Sequence, residues 1–353
     1  MIDRDNWKLT KAYLQYRAEV SHLAGDSIKL ERRCLRHLLE WADSRPFHRA
    51  PSIRPRFPDY VLGARRDGRD KPLSREYLRK TISTARRFLG WLAVHRTGYR
   101  SSFAVWLDTL VVPKLDQTSK EHEAVTLDEV RAMAIAPTET ARERRVQAAA
   151  VFWFLSGIRV GAFVTLPVAA IDLGALQVRQ WPSLGVHTKF GKHATTHLLD
   201  IEDLLNVVRA WDGEVRSVLP GSGYWFAPLL PETDSIDPSA DTVGEHRADR
   251  ARKDLRDWLR RVGLPYHSPH KFRHGNAVYS LKRCRDLADL KAVSQNLMHS
   301  NISTTDGIYA VLSQDDLAER IRGLARSETS RASLDYGRLA REIVALTQTQ
   351  DSL

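Results

Sequence analysis

Ser268-Pro-His-Lys-Phe-Arg-His274 is the stretch from which the rest of the chain is best read. Serine is a preferred N-cap, and proline fits the first helical position, where its missing N–H costs nothing, so a helix is predicted to start here. His270 and Arg273 then stand three residues apart and share a face. They lie near the positive end of the helix dipole, where an anion is already favoured. A guanidinium can hold two oxygens of a phosphodiester while an imidazole exchanges a proton, so the pair suits phosphoryl chemistry. Two other readings stand beside this one. His267, His270 and His274 offer imidazoles for a metal, although the proline and the missing carboxylates speak against it. His270 taken alone is equally consistent with a helix-start residue that has no catalytic role.

Upstream, the pattern is helical. Ile28, Leu35, Leu38, Leu39 and Ala42 fall on one face, while Lys29, Arg32, Arg33 and Arg36 occupy much of the rest. A proline-rich stretch over residues 46–58 interrupts the pattern, and Ser74 is the N-cap candidate of a second long helix. There Leu78, Ile82, Ala85, Leu89 and Leu92 form the apolar stripe, and Arg75, Arg79, Lys80, Arg86 and Arg87 decorate the other faces. Two such basic helices can grip a duplex along its phosphates or be ordinary exposed helices. Residues 113–120 are polar and aperiodic, a linker by composition. Thr126 with Glu129 reads as a capping box, and a long apolar helix should end at Ser156-Gly157. Short strands are predicted at residues 176–181 and 186–189, with Phe190-Gly-Lys192 turning into 195–199. Helices return near residues 248–262, from Ser268, and near 287–298. The tail beyond residue 313 suggests two more, the last with Leu339, Ile343 and Leu346 as its stripe.

Charge adds a second line of argument. The chain has 353 residues and a net charge of +11, with 42% hydrophobic and 27% charged residues, as in ordinary globular proteins. Residues 1–112 hold 23 Lys and Arg against 12 Asp and Glu, and the remainder is balanced at 31 of each. The whole excess therefore sits in the first third, where it favours a polyanion such as nucleic acid or is simply a solvated basic surface. The apolar run 148–155 is too short to cross a bilayer, so no membrane partner is expected. Met1-Ile-Asp-Arg-Asp lacks an apolar segment behind its charges, so no signal peptide is expected, and Cys34 and Cys284 fit two free thiols in a reducing cytoplasm.

Four stretches, taken in order, resemble the motifs of the tyrosine recombinase (phage integrase) family. Phe154-Leu-Ser-Gly-Ile-Arg-Val-Gly-Ala-Phe163 is similar to its first arginine motif and places that arginine at Arg159. Thr188-Lys-Phe-Gly-Lys192 resembles its hairpin lysine motif, which favours Lys189 over Lys192. Pro269 to His274 matches its His-x-x-Arg motif at His270 and Arg273. Met298-His-Ser-Asn-Ile-Ser-Thr-Thr-Asp-Gly-Ile-Tyr309 resembles the closing motif, with His299 and the nucleophile Tyr309. Singly, each residue has a bland reading: Arg159 a helix-end charge, Lys189 a solvated lysine, His299 a polar helix end, Tyr309 a packing aromatic. Jointly, in order and in matching context, they point to one site.

The resemblance implies an α+β chain, mainly α with a small antiparallel β-sheet in the catalytic domain. It divides the chain into a helical DNA-binding domain (1–112), a linker (113–120), a catalytic domain (121–312) and a helical tail (313–353), which docks on a neighbouring protomer or packs on its own domain. It implies site-specific cutting and rejoining of double-stranded DNA through a 3′-phosphotyrosine, for integration, excision or resolution of a mobile element. Arg159, Arg273 and His299 would steady charge on the phosphate, and His270 would take the proton of the tyrosine, whose hydroxyl has a reference pKa of roughly 10. Lys189 would protonate the departing 5′ oxygen. Lys29, Arg32, Arg33, Arg36, Arg79, Lys80, Arg86 and Arg87 are candidate DNA contacts. With two guanidiniums present, no metal and no other cofactor is expected. The implied assembly is a monomer in solution and a homotetramer on DNA, in the nucleoid. A topoisomerase forming 3′-phosphotyrosine, and a DNA-binding protein on a decayed catalytic scaffold, are the alternatives. The second is motivated by Ala162, where the family usually carries a carboxylate, and by the ten-residue step from His299 to Tyr309, one longer than usual, with Gly307 as the extra residue and Tyr336 as the fallback nucleophile; Met298, where glycine is common, is a further departure.

Overall fold

A computed structural model describes residues 2–63, 73–103, 106–112, 124–240 and 244–299. The chain forms two compact units, Met1–Lys120 and Glu121–Leu353. The expected linker, Tyr309, Tyr336 and the apolar stripe of the last helix lie outside the described residues.

In the first unit α1 (Arg4–Glu19) is opened by Asp3, whose carboxylate accepts from the N–H groups of Asp5 and Asn6. The next helix, α2 (Gly25–Ala42), buries Leu35, Leu38, Leu39 and Ala42, the stripe its periodicity predicts. The proline-rich stretch is less irregular than expected. It holds a 3-10 turn at Phe47–Ser52, and α3 (Phe57–Gly63) starts before it ends. Ser74 caps α4 (Arg75–His95) by accepting from the N–H of Tyr77, and α5 (Arg100–Phe103) follows. Phe47, Phe57, Phe88 and Phe103 fill the space between them and are fully buried. Glu31 on α2 is also buried, between Arg17 at 3.3 Å and Arg87 at 3.0 Å. Two guanidinium partners offset the desolvation that a lone buried carboxylate would suffer.

In the second unit Thr126 and Glu129 close the expected capping box on α6 (Leu127–Ile135). Helix α7 (Ala141–Ser156) is the centre of this unit. Every residue from Ala148 to Ser156 is buried, and α6, α9 (Glu202–Val218), α10 (Arg247–Arg261) and α11 (Pro269–Leu281) surround it. Gly157, at φ 61°, is the left-handed C-cap that ends it, and the four-residue α8 (Val160–Phe163) follows. Arg145 inside α7 is buried with Asp254 of α10 at 2.7 Å. Helix α12 (Leu287–Asn296) closes the described part.

The sheet is antiparallel, with β1 (Ile171–Asp172), β2 (Gln177–Gln180) and β3 (Ala194–His197) in that order. It corrects the expected strand at residues 186–189, which is not a strand. β2 pairs directly with β3, and the residues between form two tight turns, Pro182–Leu184 and Lys189–Gly191. Pro182 has no N–H to give a ladder, and Gly185 sits at φ 82°, so extended pairing stops there. Sequence periodicity left α9 unassigned, although Leu204, Leu205, Val208, Trp211 and Val215 repeat at helical steps and are buried. Among the described residues no helix is long and apolar enough to cross a membrane, and both cysteines are free thiols.

Candidate functional site

Four of the six residues singled out for catalysis converge where α7 ends, α11 begins and α12 has just finished. Gly157 makes this possible. A Cβ added there would meet Leu297 Cδ2 at 2.6 Å and Asn276 Oδ1 at 2.9 Å, so only glycine permits both the turn and the close approach. The turn puts Arg159 at the N-cap of α8, half-buried. Arg273, one turn into α11, is only 3% exposed. Its guanidinium donates to the Gly157 carbonyl at 2.5 Å, to the Leu297 carbonyl, and to His299 Nε2 at 3.0 Å. A single buried side chain thus joins the turn before Arg159 to the segment before His299. Ser268 occupies the N-cap of α11 as expected, but its hydroxyl makes no capping bond; its carbonyl instead accepts from the N–H of Lys271 at 2.8 Å. Ala162 is buried on α8, and Arg273 donates to two backbone carbonyls and an imidazole.

The protonation of the histidines follows from these contacts. A guanidinium only donates, so Nε2 of His299 must accept and its proton sits on Nδ1. The ring is neutral. Burial, then Arg273, Arg159, Lys192 and His274, hold its pKa down at about 4. His270 is lowered as well, first by desolvation and then by Arg273 and Arg159, although its ring reaches solvent. Its Nε2 lies 2.9 Å from Nε2 of His274, a buried residue, with the two rings nearly perpendicular at 82°.

The depressed pKa of His299 has a signature in stability. Between its folded value near 4 and an unfolded value of roughly 6.5, the unfolded chain binds more protons, so stability rises with pH across that window. The contribution is complete above the unfolded pKa and disappears as pH falls toward 4. His299→Asn should therefore flatten the fall in melting temperature between pH 7 and pH 4; an unchanged slope would exclude His299 as its source.

The two lysines of the β2–β3 turn are placed differently. Lys189 is exposed, its Nζ 5.0 Å from the ring centre of Phe190, itself 84% exposed at φ 61°. Lys192 is half-buried, and its charge is among those that depress His299. The strand β3 that follows the turn is tied to α12 by a reciprocal pair: the His197 N–H donates to Asn296 Oδ1 at 2.7 Å, and Asn296 Nδ2 donates to the His197 carbonyl at 3.0 Å.

In the first unit all eight candidate contacts are exposed on α2 and α4. Lys29, Arg36, Lys80, Arg86 and Arg87 face carboxylates of Asp26, Glu40, Glu76, Asp108 and Glu31 at 2.7–3.3 Å. Arg32, Arg33 and Arg79 have no carboxylate partner among the described residues, so their charge is the least neutralised.

Sequence reasoning weighed His274 only as a metal ligand and placed Lys192 second to Lys189. The step of four from His270 to His274 already puts both imidazoles on one helix face, and that signal could have found the pair. Lys192 had no comparable signal, because only the folded turn tells the two lysines apart.

Residues 123–315 match the phage integrase family, a span that takes in Arg159, both lysines, His270, Arg273, His299 and Tyr309. The chain is 45% identical over 75 residues to tyrosine recombinase XerC of Haemophilus influenzae, a match covering 21% of this chain and 23% of that protein. The chain therefore spans about a quarter of that relative's length. It is 24% identical over 254 residues to tyrosine recombinase XerD of Staphylococcus epidermidis, covering 70% of this chain and 76% of the relative. Among solved structures, the Tn1549 transposon integrase in complex with circular intermediate DNA aligns with a TM-score of 0.57 at 16% identity, over 92% of this chain and 99% of that one. A lambda integrase dimer bound to a COC′ core site also gives 0.57, at 13% identity, over 86% and 94%. Such identities establish a shared fold. With more than half of its length matched in sequence, and the motif residues inside that match, the chain belongs to the phage integrase family.

Proposed function

We propose that this chain is a site-specific recombinase that cuts and rejoins double-stranded DNA through a 3′-phosphotyrosyl bond to Tyr309. The observation that carries the reading is the placement of Arg159 and Arg273 around two imidazoles that both stay neutral at pH 7. Two cations and a helix N-terminus at one point suit a phosphodiester, whose equatorial oxygens gather charge when the phosphorus is attacked. In this reading Arg159 and Arg273 hold those oxygens, and His299 donates its Nδ1 proton to one of them. His270, neutral and basic, takes the proton of the tyrosine hydroxyl, and a lysine of the β2–β3 turn protonates the leaving 5′ oxygen. The exchange trades one phosphoester for another, so it needs no energy source. The basic faces of α2 and α4 would track the phosphates of the same duplex. A protein acting on chromosomal or mobile-element DNA would work in the nucleoid of the cytoplasm, as a homotetramer on two sites, with the tail joining protomers.

The test is a pool of duplexes of randomised sequence, each nicked on one strand so that cleavage releases a short fragment and cannot reverse. Wild-type protein should form an SDS-resistant adduct, and Tyr309→Phe should form none. An adduct with both would move the nucleophile to another residue, with Tyr336 next in line. Adducts with neither would support a DNA-binding protein on an inactive scaffold. The duplex enriched in the adduct then serves as substrate for every other measurement.

The acid can be assigned with the same duplex carrying sulfur in place of the bridging 5′ oxygen. A thiolate leaves without a proton, so a variant lacking only the acid recovers on that substrate. Lys189 matches the motif and Lys192 lies electrostatically nearer His299. Alanine at the acid should slow cleavage of the oxygen substrate by roughly 100-fold and cost little on sulfur. Equal losses on both substrates would remove that lysine from the role.

A further inference from the structure

We propose that His274 is a positioning residue that fixes the tautomer of His270, so that Nδ1 of His270 is the nitrogen that receives the nucleophile's proton. The inference rests on the recombinase reading for its consequence, but its geometry stands by itself. The two Nε2 atoms are 2.9 Å apart, and the rings meet edge to face with centroids at 4.4 Å. His274 is 8% exposed, while His270 opens to solvent.

A hydrogen bond between two imidazole nitrogens holds one proton. If His274 donated it, Nε2 of His270 would accept and Nδ1 would carry the ring's own proton, leaving His270 no lone pair for a substrate. If His270 donates it, Nδ1 is unprotonated and able to act as base. Among the described residues nothing else bonds to Nδ1 of His270. The transition state decides between the two. As the nucleophile's O–H bond breaks and its oxygen bonds to phosphorus, the proton passes to Nδ1, and His270 becomes an imidazolium with Nε2–H still directed at His274. A neutral acceptor there stabilises the cation, whereas a second N–H would repel it. The proton taken up at Nδ1 is then available for return when the phosphotyrosine is resolved. The arrangement has the logic of a base oriented by a third group, with an imidazole where a carboxylate is more familiar.

Nitrogen-15 NMR of the full chain, with labelled histidine and without DNA, reads the tautomer directly. His270 should show Nε2 protonated and Nδ1 bare near neutral pH; the reverse assignment would overturn the proposal and leave the proposed function untouched. On the enriched duplex, His274→Leu should slow single-turnover adduct formation by roughly 10-fold to 100-fold. It should also shift the acidic limb of the pH profile. His274→Gln, whose amide oxygen can accept from Nε2, should recover most of the rate. In a His270→Gln background, leucine at 274 should add no further loss. An additive loss in that background, or a glutamine variant that melts like wild type yet is as slow as leucine, would show a merely structural role. Failure of the recombinase reading would look different, as no adduct from wild type at all.

Discussion

Arg273→Lys should cost the protein more stability than Arg159→Lys, and both should cost chemistry. The difference lies in burial, since Arg273 is 3% exposed and Arg159 is half-buried. Arg273 spends its fork on the carbonyls of Gly157 and Leu297 and on His299. A lysine keeps the charge but cannot reach three acceptors in fixed directions. Each buried acceptor left without a donor costs about 1–3 kcal/mol, and in a domain of this size each kcal/mol moves the melting temperature by about 2–4 °C. A fall of at least several degrees is expected, together with a loss of adduct formation of roughly 10³-fold, because in the proposed reaction the charge meant for the phosphate would no longer be held in place. Arg159 is half-buried at the head of a four-residue helix, so its replacement should lower the melting temperature less than that of Arg273, while cleavage falls by roughly 10²-fold or more. Calorimetry and single-turnover cleavage on both variants separate the cases. Equal melting losses would mean that Arg273 is not the tie between α7 and the segment before His299.

The second large effect concerns a residue with no side chain. Gly275→Ala places a Cβ 2.2 Å from the Val125 carbonyl oxygen, 3.1 Å from its carbon and 3.2 Å from Phe154 Cδ2. Backbone cannot be bypassed by a rotamer change, so the strand of chain at Val125 must lift from α11. Its N–H bond to the Lys271 carbonyl, 3.3 Å long, goes with it. Overpacking of this kind costs about 1–3 kcal/mol. Because α11 carries His270 and Arg273, adduct formation should fall along with the melting temperature. Gly213→Ala is the control. It lies on the exposed side of α9 with nothing within 4 Å, and there the gain in helix propensity should stabilise by roughly 0.5–1 kcal/mol. If Gly275→Ala melted like that control, Val125 would not be packed as described.

Several helices of both units, though not α9, were legible because their signals are local. The stripes of α2 and α4, the Thr126–Glu129 box and the glycine at the end of α7 each need only a few neighbouring residues. The strand expected at residues 186–189 failed because alternation over four residues competes with Pro182 and Gly185, whose backbone preferences outweigh it. The site divides along the same line. His270 and Arg273 could be paired by spacing on one helix. Arg159 and His299 are brought to them with the help of the Gly157 and Leu297 carbonyls that Arg273 holds, and no side-chain pattern encodes a backbone acceptor. The choice between Lys189 and Lys192 depends on how a three-residue turn folds over, which spacing alone does not determine.

Asn296 has an effect beyond its two hydrogen bonds. β3 is the last strand of the sheet, and an outermost strand offers bare N–H and C=O groups to any extended peptide that drifts by. At His197 the carboxamide fills both positions, imitating the peptide unit of a fourth strand. The ladder is thereby blunted at that point, and the end of α12 is pinned to the hairpin that carries Lys189 and Lys192. His299 follows Asn296 by three residues, so a rocking of the hairpin tip would be transmitted to the imidazole as a shared movement, not as two independent ones.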